Sequence, residues 1–188
     1  DMMQETAPFG SREWKTYLDL DVDSPEIPER LQLHLESQCP FFSDKLVKET
    51  HILCLIPNNL TLGRLYELTG CKSNSPFLRN SHDFSRMPYW ILIPKKIIPS
   101  TKGLSFKKQE QMVCDLGYHI PKMLEAAIAI LSAKFLAGFS IYSQPGQFTR
   151  CQEEENSWPI AIGSDMATLF CISLNDYNTL NGIAGVYK

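Results

Sequence analysis

FTRCQEEENSWPIAIGSDMATLFCISL, residues Phe148 to Leu174, decides the fold class. It divides into short strand-like runs, Phe148 to Glu153, Trp158 to Gly163 and Thr168 to Leu174, and a further run follows at Gly182 to Tyr187. Asn156-Ser157, Asn175-Asp176 and Asn181-Gly182 supply turn chemistry between or after these runs. The C-terminal part of the chain is therefore read as β.

Upstream, the pattern alternates between helix and strand signals. Ser11 caps a segment with Trp14, Tyr17 and Leu18 on one face, and Ser24-Pro25 gives a cap and first-turn proline for a second helix with Ile27, Leu31 and Leu35 inward. The polar and aromatic CPFFSDKLVKE then leads into THILCLIP, a continuous apolar run that suits a central strand, as does YWILIP from Tyr89. Between them, Thr61 to Leu68 has Leu62, Leu65 and Leu68 at helical spacing and stops at Gly70, and Asn74 to Pro88 reads as a long loop. Pro99 and Gly103 punctuate a turn. Ser105 caps a helix with a Met112, Val113 and Leu116 stripe, and Pro121 opens the strongest helix, ended by Gly138.

Helices mostly before strands predict an α+β domain: N-terminal helices and a helical pair packed on a mainly antiparallel or mixed sheet of about five or six strands, covered on one face. The 188 residues suit one domain with a core that needs neither disulfides nor metal. Met123 to Phe139 is interrupted by Glu125, Ser132 and Lys134 and is shorter than the ~20 residues of a membrane span, so it reads as a core helix.

A net charge of −3 argues against nucleic acid as the main ligand. The basic run of Lys95, Lys96, Lys102, Lys107 and Lys108 reads as a solvated face. The six cysteines show no CxxC pair, and the histidines at 34, 51, 82 and 119 show no HxH or HxxH spacing. Reduced structural thiols are expected, with no metal and no cofactor.

Several groups are candidates for chemistry. Cys151 has Arg150 beside it to favour a thiolate, and His119 is an available base; a structural thiol on a strand is the competing reading. Gly163-Ser164-Asp165-Met166-Ala167 lacks the second glycine of a nucleophile elbow. Glu153, Glu154 and Glu155 read as a charged hairpin end. Glu125, an acid in an apolar helix, needs water or a cation; Arg150 is its candidate partner, with Tyr118 near the start of the same helix. On a strand, Thr149, Cys151 and Glu153 take one face and Arg150, Gln152 and Glu154 the other, so Arg150 and Gln152 are candidates to bridge to Glu125 or to a partner. Tyr118, Glu125, Arg150, Gln152 and Glu153 form the candidate interaction cluster.

A set of blocks in fixed order adds a resemblance. These are Trp90-Ile-Leu, Gln109-Glu110-Gln111, Gly117-Tyr118-His119-Ile120-Pro121, Leu124-Glu125-Ala126-Ala127, Phe148-Thr149-Arg150-Cys151-Gln152-Glu153 and Gly182-Ile-Ala-Gly-Val. Together they resemble the domain that follows the F-box in F-box-like effector proteins of Legionella and chlamydia-related intracellular bacteria, over most of the chain from Phe9. The turn before Gly182, NDYNTLN, departs from the His-, Asp- and Tyr-rich form in that family. The resemblance implies a single substrate-recognition domain spanning residues 1–188, separated from an N-terminal F-box. It would recruit a host protein to a Skp–cullin–F-box ubiquitin ligase in the host-cell cytoplasm, after secretion from the bacterium. Neither nucleic acid nor membrane is an expected partner. The alternatives are a small cysteine-dependent hydrolase or transferase using Cys151 and His119, and a small-ligand binder built on Tyr118, Glu125 and Arg150.

Overall fold

The computed structural model describes residues 3–70, 72–73, 84–143, 147–155, 158–164, 168–173 and 182–188. Among them the order is α1 (Ser11–Leu18), α2 (Glu29–Leu35), α3 (Val47–Thr50), β1 (His51–Ile56), α4 (Leu62–Thr69), β2 (Lys72–Ser73), β3 (Tyr89–Pro94), a 3-10 turn (Pro99–Thr101), α5 (Phe106–Cys114), α6 (Met123–Ala137), β4 (Thr149–Glu155), β5 (Trp158–Ser164) and β6 (Thr168–Ser173). Residues 74–83 of the expected loop lie outside the described residues, as do Asn156-Ser157, Asn175-Asp176, Asn181 and positions 165–167 of the candidate elbow.

The α+β class is right, but the expected sheet of five or six strands is not. The strands form two sheets: β1 and β3 pair antiparallel from His51↔Pro94 to Ile56↔Tyr89, and a four-stranded sheet runs β2-β6-β5-β4, parallel only between β2 and β6. The reason lies in α6. Every residue from Met123 to Ala133 is buried, and the helix packs on β1 and β3 as well as on β4 and β5. A helix apolar all round cannot lie on one sheet with its back to water, so it must be enclosed. Ala126, Ala127, Ala129 and Ala133 keep it slim enough for close approach.

Short segments finish the sheet edges. Phe9 exchanges backbone bonds with Leu53 and Leu55 on one side of the small sheet, and Tyr187 exchanges two of 2.9 Å with Leu92 on the other. The expected strand Gly182 to Tyr187 is instead a run of single bridges that joins the two sheets: Gly182 with Thr149, Val186 with His119 and Tyr187 with Leu92. Its geometry is tight, since a Cβ on Gly182 would stand 2.3 Å from Ile97 Cγ2 and 2.7 Å from Thr101 Oγ1.

Helix ends follow local chemistry more closely. Gly70 and Gly138 end α4 and α6 in the left-handed region, at φ 62° and 69°. Thr61 Oγ1 accepts from Arg64 N at 3.2 Å to start α4. The second helix starts later than expected, at Glu29 with Pro28 as its N-cap, and Pro25 contributes a carbonyl to Trp90 Nε1 at 2.8 Å. On α5, Gln109 and Val113 face inward while Leu116, beyond the helix end, is exposed. Among the described residues no helix is long and apolar enough to cross a membrane.

Candidate functional site

The five candidate residues take up separate structural duties. Arg150 is completely buried on β4, although Cys151 beside it is buried too, because α6 packs on the strand, Gln109 of α5 meets the Arg150 side chain, and the 182–187 segment bridges the strand's outer edge. Arg150 Nη1 donates to Gln109 Oε1 at 3.0 Å, and Gln109 Nε2 donates to the Thr101 carbonyl at 2.7 Å. Thr101 Oγ1 in turn donates to the Ile98 carbonyl and accepts from Ile183 N, and Thr149 Oγ1 accepts from Ala184 N. This polar core ties β4, α5 and the C-terminal segment together. Each bond is shielded from water, which raises the cost of losing any one of them.

Glu125 does not pair with Arg150. Its carboxylate bends back over the first turn of α6 to accept from Lys122 N at 2.8 Å, then takes Tyr89 Oη at 2.7 Å and Lys188 Nζ at 2.7 Å. The cation came from the far end of the sequence because α6 carries Glu125 toward β3, beside which the 186–188 segment is bridged. Glu153 caps the same helix from β4, with its two oxygens 3.0 and 2.9 Å from Met123 N. Gln152 is exposed, and its Nε2 donates to the Ile120 carbonyl at 2.6 Å.

Tyr118 belongs to a different cluster. Its hydroxyl lies 2.7 Å from His34 Nε2 and 3.1 Å from His51 Nε2, and its ring packs against Phe41 and Tyr187. Burial raises the Tyr118 phenol well above its ordinary range. Burial, then repulsion from His34, pushes His51 down to about 3, and burial also lowers His34. A cavity of about 80 Å³ borders His51, lined also by Thr6, Leu35, Lys48 and Leu53. No spacing rule joins these two histidines, because His34 sits on α2 and His51 starts β1.

Cys151 and His119 are not arranged as nucleophile and base. The thiol is sealed in the core with Sγ 3.7 Å from the Thr149 carbonyl, whereas His119 is exposed and joined to Val186 through its backbone. A substrate at His119 would stand outside the protein, and the thiol would be out of its reach. Lys95 also departs from the expected solvated basic face: it is buried and donates to the Gln4 and Glu49 carbonyls. Burial lowers its amine to about 8. Among the described residues no group of three or more His, Cys, Asp or Glu could hold a metal ion.

Above the polar core lies an open groove of about 550 Å³ between α5 and β4, lined by Phe106, Lys107, Glu110, Ile120, Gln152 and Glu154. Its size falls within the roughly 300–1,000 Å³ of ligand pockets. Gln109 was the overlooked residue beneath it. A legible signal existed: Gln109 lies three residues after Phe106 and four before Val113, a polar side chain on the inward face of a helix, which requires a buried partner.

No family model matches this chain, and no curated protein or solved structure shows significant similarity to it. The resemblance to F-box-like effectors rests on the sequence blocks alone.

Proposed function

We propose that this chain is a protein-recognition domain whose work is to hold a partner rather than transform it. The observation that carries this reading is the open groove between α5 and β4, whose two walls are locked in place by the buried Arg150–Gln109–Thr101 bonds. Preformed walls lose little conformational freedom when a partner enters. The resemblance to F-box-like effectors supplies the setting: the partner is a host protein, delivered to a Skp–cullin–F-box ubiquitin ligase in the host cytoplasm.

Affinity capture from host-cell lysate, with untagged chain as competitor, tests the first half. A host protein displaced stoichiometrically by the competitor is the expected result, and capture that competitor leaves unchanged overturns it. Fusion behind an F-box in a reconstituted ligase tests the second half. The fusion should direct ubiquitin onto the captured protein, and absence of transfer despite binding overturns the ligase setting.

A further inference from the structure

Among the described residues, the outer edge of β4 is closed in steps and then opens. Arg150 N donates to the Gly182 carbonyl at 3.0 Å, and Gln152 N donates to the Pro121 carbonyl at 2.9 Å, both away from β5. Arg150 stands opposite Ala161 and Glu154 opposite Pro159, with a bulge between these pairs. Ala161 and Pro159 are two positions apart on β5, so antiparallel alternation gives Glu154 the same outward orientation as Arg150. Proline suits that position because it has no N–H to offer β4. Beyond Pro121 the chain turns into α6, and Glu154 helps to line the groove beside this stretch of edge.

The lining is chemically selective. The half-buried Phe106, over the buried Ile120, gives a small apolar surface, while Glu110 and Glu154 are exposed carboxylates against Lys107, the one lysine of the lining. That balance is negative. Resting on the recognition reading above, we propose that this groove takes an extended peptide that adds its backbone to β4 at Glu154. The peptide presents an apolar side chain to Phe106 and Ile120, and a Lys or Arg two positions away to Glu110 and Glu154. Side chains two apart on a strand share a face, so one peptide face meets both features. A phosphorylated or nucleic-acid ligand would meet carboxylates instead of cations.

The test uses a fluorescein-labelled heptapeptide, Ser-Leu-Ser-Lys-Ser-Leu-Ser, and its Glu-for-Lys counterpart, read by fluorescence anisotropy with the 188-residue chain. The Lys peptide should bind saturably and at least about tenfold more tightly than the Glu peptide, and the double variant Glu110→Lys/Glu154→Lys should reverse that order. Both side chains are exposed, so the variant should fold, as a matching circular-dichroism melt would verify. N-methylation of the alternate amides in one register should abolish binding, and in the other register leave it within about twofold. No saturable binding of the Lys peptide, an unchanged preference in the double variant, or indifference to N-methylation in both registers overturns the proposal. The lysate experiment separates the two claims: a partner held equally by the double variant overturns the groove and leaves recognition standing, whereas failure of competitor-sensitive capture overturns recognition itself.

Discussion

Lowering the pH should destabilise this protein through His51, and the structure sets the size of the effect. The ring is buried, with Nδ1 2.8 Å from Thr50 Oγ1 and Nε2 3.1 Å from Tyr118 Oη. Thr50 Oγ1 also lies 3.2 Å from the carbonyls of Leu46 and Val47, so the hydroxyl donates there and accepts from His51 Nδ1–H. That leaves His51 Nε2 as an acceptor 3.1 Å from Tyr118 Oη, and the same hydroxyl lies 2.7 Å from His34 Nε2, whose Nδ1 is 3.1 Å from Ser37 Oγ. The neutral His51 tautomer with its hydrogen on Nδ1 fits these contacts. A proton on His51 Nε2 would place a charge in this buried site, with His34 from α2 and Lys95 beyond β3 adding like charge.

The folded His51 therefore titrates near 3, against an ordinary value of 6.5 in the unfolded chain. Between those values the unfolded state binds a proton that the folded state refuses. The stabilisation is complete above about pH 6.5 and is lost as the pH falls toward 3, at about 1.4 kcal/mol per pH unit. From pH 7 to pH 4 the loss comes to about 3 kcal/mol, a large share of the 5–15 kcal/mol typical of a domain. Urea denaturation followed by tryptophan fluorescence, on the parent and on His51→Gln, isolates this contribution because the other acids titrate in both proteins. The parent should lose about 3 kcal/mol more than the variant over that interval. Equal losses would refute a neutral, buried His51.

Three further outcomes test other parts of the fold. Gly163→Ala should lower stability by about 1–3 kcal/mol in a thermal melt, since its Cβ would stand 2.1 Å from Phe148 Cδ1 and 2.5 Å from the Tyr142 carbonyl, and the backbone atom has no rotamer to escape into. Lys188→Met should cost about 1.5–3 kcal/mol by chemical denaturation, because it leaves the fully buried Glu125 carboxylate with only neutral donors; the partial exposure of Lys188 lets water offset some of the larger loss typical of buried pairs. Native alkylation followed by mass spectrometry should modify Cys114 before Cys39, Cys54 and Cys151: Cys114 is exposed, although burial and then Glu110 and Asp115 raise its thiol, whereas the others are buried and burial pushes the Cys54 thiol up to about 12.

Local patterns determined much of this protein. The apolar runs at His51–Ile56 and Tyr89–Pro94 became strands, the Leu62 and Leu65 spacing buried one face of α4, and Gly70 and Gly138 marked helix ends. Each depends on the period of a strand or helix, or on a backbone region that glycine enters freely, and these properties belong to a few consecutive residues. Tertiary structure decided the rest. Enclosure of α6 divided the strands between two sheets, and Lys188 rather than Arg150 reached Glu125. His34, Tyr118 and His51 met from three separate parts of the chain, while Gln109 claimed the arginine that had looked available to a partner. A buried polar group requires a partner, but its own sequence neighbourhood does not specify which one. That choice depends on which distant segments the packing of the core brings within hydrogen-bonding distance.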